Sequence, residues 1–252
     1  MQNEKKEHIL MLLRKLQTDR TLEKAEFVEL IKNRELIEDE LFQISKEIHV
    51  ENFHRKVYVR GLIEISSYCG NDCYYCGIRR SNRNAKRYRL NAEEIYEQVR
   101  FGTKLGFKSF VLQGGEDPGF SDKTLIEVIK EIKRINPQTA ITLSVGEKPF
   151  ETLKAYKEAG ADRFLLRHET RDKEHYYKLH PSDMDQDFRL HMLEDLKKLG
   201  FQTGSGIMIG SPYQTEENLA EDLLFLRKLN PEMIGIGPFV PASGTPFENE
   251  AS

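Results

Sequence analysis

Residues 57–80 read VYVRGLIEISSYCGNDCYYCGIRR, an apolar, β-branched run that empties into a loop holding Cys69, Cys73 and Cys76. Those are all the cysteines of a 252-residue chain. The run reads as a strand, so the spacing C-x3-C-x2-C sits at a strand's C-terminal end. Downstream, helix and strand patterns alternate. NAEEIYEQVRFGTKLG is a helix opened by Asn91 as N-cap and ended by Gly106. KSFVLQGGE is a strand, DKTLIEVIKEIKRIN a helix stopped by Asn136-Pro137, TAITLSVGE a strand, PFETLKAYKEAG a helix and DRFLLRHE a strand. DFRLHMLEDLKKLG is a helix, QTGSGIMIG a strand, TEENLAEDLLFLRKLN a helix and MIGIGPFVP a sixth strand.

Such alternation predicts parallel strands joined by crossover helices. No G-x-G-x-x-G follows the first strand, which argues against an open dinucleotide-binding sheet. The expected fold class is α/β, a (β/α) TIM-type barrel. Residues 1–55 are charged and periodic at three-to-four spacing, so two or three amphipathic helices are expected there, with the barrel over 56–252. A complete eight-unit barrel takes roughly 250 residues, so about six strands of an expected eight are anticipated, incomplete at the C-terminus.

The 38 basic and 41 acidic residues nearly cancel and give no reason to expect a nucleic-acid partner. No apolar run approaches the roughly 20 residues a membrane helix needs, so no membrane partner is expected. MQNEKKEHILMLLRKLQ lacks a small-residue cleavage site and reads as an amphipathic helix. Three clustered thiols make no disulfide framework, which points to a reducing, cytoplasmic setting.

Thiolates at this spacing bind zinc or an iron–sulfur cluster. Structural zinc asks for four closed ligands, and the nearest upstream histidine, His54, precedes the first strand. A [4Fe-4S] cluster usually takes four cysteines, so three leave one iron open for a small molecule. The loop lies at the end of the strand where barrel active sites gather. Three unrelated surface thiols would oxidise readily.

C-x3-C-x2-C with Tyr75 before the last cysteine resembles the radical S-adenosylmethionine (SAM) enzymes, in which SAM occupies the open iron. Other strand ends agree. Gln113-Gly114-Gly115-Glu116 closes strand two, where glycines admit a ligand and a carboxylate accepts an ammonium, although a plain turn would read the same way. Thr142 and Ser144 share a face of strand three, and Arg167 and Glu169 a face of strand four. If those faces point inward, a ligand or an internal ion pair must satisfy them, while His168 points the other way. Met208 shares a face with the glycines of strand five; Arg189, near the start of a helix, would ordinarily be a solvated cation. IRRSNRNAKRYR (78–89) holds six Lys and Arg; such a stretch ordinarily reads as a solvated loop, with RNA binding a weaker option, and beside an anionic cluster it would also guide an acidic electron donor such as a flavodoxin or ferredoxin.

Taken together, CYYCGIRR, KRYRL, VLQGGEDPG, ITLSVGE, LLRHET, GSGIMIG and GIGPFVP resemble the HydE family, the radical SAM maturases of [FeFe]-hydrogenase. The resemblance implies that Cys69, Cys73 and Cys76 hold the cluster. It implies that Tyr75, Gly114, Gly115, Glu116, Glu169, Arg189 and Met208 contact SAM, and that Gln113, Thr142, Ser144 and Arg167 line the substrate cavity. A deoxyadenosyl radical would then act on a small organometallic or amino-acid-derived substrate during assembly of the hydrogenase di-iron cluster, alongside other hydrogenase maturases. After strand five the family tends to read G-L-P-G-Q-T where this chain has Gly210-Ser211-Pro212-Tyr213-Gln214-Thr215, and the family continues beyond this chain's last residue. Methylornithine synthase and biotin synthase share the barrel and stay open as alternatives, although biotin synthase needs further cluster cysteines. A non-catalytic metal-binding module built on the three cysteines and an inactive fragment are the alternatives from other classes.

Overall fold

A computed structural model describes residues 2–250. In chain order α1 (Gln2–Asp19), α2 (Lys24–Lys32) and α3 (Glu38–Phe53) come first, with a 3-10 turn at Arg34–Leu36. Then follow β1 (Gly61–Ser66), α4 (Ala92–Lys104), β2 (Ser109–Gly114), α5 (Asp122–Ile135), β3 (Ala140–Ser144), α6 (Phe150–Ala159) and β4 (Arg163–Leu165). Next are α7 (Lys173–Leu179), α8 (Gln186–Lys198), β5 (Gln202–Ile209), α9 (Glu216–Leu229) and β6 (Met233–Pro238).

These elements group into two compact units, one of the described residues up to Tyr58 with Gln214–Lys228, the other of Val59–Tyr213 with the described residues from Leu229 to Glu250. In the first, Ile9, Leu12, Leu13, Leu22, Phe27, Leu30 and Ile37 form a buried cluster that Ala220 of α9 joins. Each such buried aliphatic side chain contributes about 1.5–3 kcal/mol relative to exposure. Lys32 and Glu217 add an exposed ion pair at 2.9 Å, worth little by comparison. The helix TEENLAEDLLFLRKLN therefore packs with the N-terminal helices.

The second unit holds a six-stranded sheet in the order β1-β2-β3-β4-β5-β6, every neighbouring pair parallel. This sequential winding is that of a (β/α) barrel. Local chemistry sets the element ends. Asn91 caps α4 by accepting from the Glu94 N–H at 3.0 Å, and the Glu94 carboxylate accepts from the Asn91 N–H at 2.7 Å, a capping box. Ser121 caps α5 through the Thr124 N–H at 3.1 Å. Phe110 and Leu112 of β2 and Ile141 and Leu143 of β3 are buried, while register sets Glu64, Gln113 and Ser144 side by side across three strands.

Four features depart from the sequence expectation. Residues 57–60 lie outside β1 and are exposed. β4 ends at Leu165, so Arg167 and Glu169 lie on the loop beyond it. Glu169 has φ +65°, which breaks the two-residue alternation expected to put it beside Arg167. α7, capped by Asp172 through the His175 N–H, is too short for a periodic signal. At Tyr213, where the resemblance leads to an expectation of glycine, φ is +65°, a left-handed conformation that costs a non-glycine residue about 1–2 kcal/mol.

Candidate active site

The cysteine loop is organised by arginines that the sequence marked only as basic. Arg87 donates to the carbonyls of Ser67, Ile78 (2.8 Å), Arg79 (2.6 Å) and Asn82 (3.1 Å), holding both ends of the loop with one guanidinium. Buried Arg79 pairs with Asp72 at 2.7 Å, and Ser81 also donates to that carboxylate, which holds Asp72 well below the usual carboxylate range. Arg89 makes a bidentate bond to Asp117, at 2.6 and 2.7 Å. Of the six cations, Arg80, Arg83 and Lys86 are the exposed ones whose side chains stand outside this network, so Arg79 drops out of the electron-donor surface anticipated from sequence.

The loop rests on the end of β2. A Cβ on Gly115 would overlap the Tyr68 carbonyl and Cys69 Cβ, so a glycine is required for this close approach. The Gly70 N–H donates to the Glu116 carbonyl at 2.8 Å, and the Asn71 N–H approaches Cys69 Sγ at 3.4 Å. All three cysteines are free thiols and half-buried. Burial pushes Cys73 up to about 12, opposed by Arg189, and raises Cys69 and Cys76 as well. As protonated thiols they are poor nucleophiles; bound iron would deprotonate them outright. Cys73 Sγ lies 3.8 Å from Met184 Sδ.

Tyr75 is fixed by His180, whose Nε2 is 3.1 Å from the phenol oxygen. His180 Nδ1 is 3.0 Å from the Tyr176 carbonyl. A carbonyl only accepts, so Nδ1 carries the proton and Nε2 accepts from Tyr75. Burial, with Arg189 nearby, lowers His180 to about 3 and keeps the ring neutral.

Arg189 is buried, not the solvated cation that its place in the sequence alone would suggest. Its Nε lies 2.8 Å from Glu147 Oε1, and Nη1 donates to the Arg167 carbonyl at 2.9 Å. Glu147 in turn donates its N–H to Glu116 Oε1 at 2.9 Å. Burial raises the Glu147 carboxyl, with Arg189 pulling the other way. Tyr75 and Cys73 both feel the charges of Glu169 and Arg189, so the loop, the end of β4 and α8 converge. Met208 packs in a cluster with Leu179, Phe239 and Phe247, against which Tyr75 lies. On the inner side, Arg167 runs past Gly235 and Gly237 of β6. Gln113 is exposed and Ser144 half-buried, whereas Thr142 is buried with no hydrogen-bond partner for Oγ1. His168 is buried against Ser205 at 3.0 Å, away from these groups.

Sequence reasoning missed Glu147, His180 and Arg87. A signal existed for the first: SVGE after strand three repeats the Gly-Glu of QGGE after strand two.

The radical SAM superfamily model matches residues 63–226. The chain is 45% identical over 235 residues to the [FeFe] hydrogenase maturase subunit HydE of Thermotoga maritima, covering 91% of this chain and 67% of that one. The chain belongs to the HydE family of radical SAM proteins. It is also 29% identical to a 3-methylornithine synthase of Methanosarcina acetivorans, over 83% of this chain and 59% of the relative. The crystal structure of methylornithine synthase (PylB) superposes with a TM-score of 0.79 at 26% identity, covering 97% of this chain and 67% of that one. The chain thus spans between about three fifths and two thirds of the length of these relatives.

Radical SAM membership implies a [4Fe-4S] cluster and SAM. The residues fit that pair. Among the described residues, no three His, Cys, Asp or Glu side chains converge to clasp one metal ion. The donor set that a cluster takes is thiolates, and Cys69, Cys73 and Cys76 are three half-buried thiols of one loop. The Asn71 N–H near Cys69 Sγ is the kind of contact that tunes cluster sulfur. No described helix is long and apolar enough to cross a membrane.

Proposed function

We propose that Cys69, Cys73 and Cys76 hold a [4Fe-4S] cluster with one iron open to SAM, and that the chain serves HydE-type assembly of the [FeFe]-hydrogenase di-iron cluster. The observation that carries this is the packing of the Gly115-Glu116 turn directly on the Cys69 backbone, with Arg189 brought to the same place. When bound, the cluster supplies the electron that splits SAM into methionine and a 5′-deoxyadenosyl radical.

The chain's own side chains bind and orient. Glu116 and the backbone of Gly114 and Gly115 accept the ammonium of the methionine end, and Arg189 takes its carboxylate. Tyr75, its hydroxyl committed to His180, presents a fixed ring, and Met208 packs beside it as a soft apolar wall for the nucleoside. Glu169, held in a left-handed conformation, adds an acceptor. Gln113, Thr142, Ser144 and Arg167 face the substrate, a small organometallic or amino-acid-derived molecule. The buried, unpartnered Thr142 Oγ1 supports a polar ligand there.

Residues 56–252 would carry this chemistry as a barrel and 1–55 would stand as a helical segment, in a reducing cytoplasm with other hydrogenase maturases. Exposed Arg80, Arg83 and Lys86 would meet an acidic flavodoxin or ferredoxin. A mutase reading has less support, at 29% identity against 45%.

The test is anaerobic reconstitution with iron and sulfide, reduction, and assay of SAM cleavage. The chain should release 5′-deoxyadenosine, and Cys73→Ala should release none. A cluster-loaded protein that leaves SAM intact would contradict the reading.

A further inference from the structure

We propose that Glu147 is a positioning residue that sets the grip on the amino-acid end of SAM, an inference that rests on the site reading above. Glu147 touches both side chains assigned to that end. Its N–H donates to Glu116 Oε1 at 2.9 Å, and its carboxylate lies 2.8 Å from Arg189 Nε, with the two side chains 14% and 8% exposed. Glu116 can reach it because Gly146 precedes it. At φ +76° a Cβ on Gly146 would overlap Glu116 Cγ and Oε1, so the Glu116 side chain lies where any other residue would stand.

The consequence follows from hydrogen-bond inventory. A guanidinium has a fixed fork of five N–H groups. With Nε ion-paired to Glu147 Oε1 at 2.8 Å and one Nη1 hydrogen on the Arg167 carbonyl, the guanidinium of Arg189 is restrained at two points before ligand arrives. Likewise, the Glu147 N–H fixes one Glu116 oxygen and leaves the other to accept. An anion-binding fork and an ammonium acceptor are thereby locked to a single loop residue, in the arrangement an α-amino-acid zwitterion requires. Preorganisation of this kind raises affinity by removing the ordering cost from binding.

Equilibrium dialysis of the cluster-loaded protein tests this, using SAM and methylthioadenosine. The second ligand keeps the adenosine and lacks the amino and carboxylate groups. In Glu147→Ala, SAM affinity should fall by about tenfold or more, as expected for losing a partner of a buried charge, while methylthioadenosine binding stays at the wild-type value. Glu147→Gln, which keeps an amide oxygen beside Arg189 Nε but removes the charge, should fall between, which guards against a poorly folded alanine variant. Unchanged SAM affinity in both variants, or equal weakening of both ligands, would overturn the role given to Glu147. A cluster-loaded wild type that binds neither ligand would instead overturn the site reading, and this inference with it.

Discussion

His180 is fully buried between Tyr75 and Tyr176, stacked on the second at 4.1 Å between ring centroids. Its ordinary value of 6.5 falls to about 3 in the fold, through burial first and Arg189 second. The unfolded chain therefore takes up a proton below pH 6.5 that the folded chain refuses until about pH 3. The sign is fixed: this contribution is constant above the unfolded value and turns against folding as pH drops through the window, at up to about 1.4 kcal/mol per unit. Urea midpoints taken from neutral pH down to roughly pH 4.5 on the metal-free protein should show wild type losing stability relative to His180→Gln by that slope. A pH-independent difference between the two would refute the buried neutral ring. None of this was legible in LHPSD, where a lone histidine before proline carries no pattern. The three cysteines were legible because their pattern is local: all three lie within eight residues.

On the scale of elements, the cysteine loop is a scaffold of carbonyls gathered by Arg87. Removing that side chain strands buried carbonyls, each worth roughly 1–3 kcal/mol when left unsatisfied. Arg87→Ala should therefore lose most of its iron on reconstitution, and Arg87→Lys should not restore it, since one ammonium cannot reproduce a planar fork. Exposed Arg80→Ala serves as the control and should keep full iron content. Iron analysis after desalting reads the outcome; wild-type iron in Arg87→Ala would show that the loop folds without its keystone. The helices and strands around the loop were readable where ends are written in local chemistry, as in the Asn91–Glu94 box and Gly160 at the close of α6. The span of 166–185 was not readable, because β4 gives way after three residues to a left-handed Glu169 and a seven-residue helix. The shared strand face expected of Arg167 and Glu169 fails for that reason.

At the scale of the whole molecule, the alternation of strands and helices announced a parallel (β/α) sheet, and the six strands pair in chain order. The grouping of α9 with the N-terminal helices was beyond a one-dimensional pattern, since Ala220 and Glu217 find their partners far upstream, in the first few helices of the chain. The same holds for the site. Glu116 and Glu147 lie on the connections after β2 and β3 and Arg189 on α8, so the three meet only in the fold, whereas the Gly-Glu repeat hinted at two of them. Low-temperature EPR of the reduced, reconstituted chain, recorded with and without SAM, tests the central claim most directly. A [4Fe-4S] signal that changes on adding SAM is the predicted result, because ligand on the open iron alters its surroundings. A cluster signal indifferent to saturating SAM would contradict the assignment of an open iron facing Glu116 and Arg189.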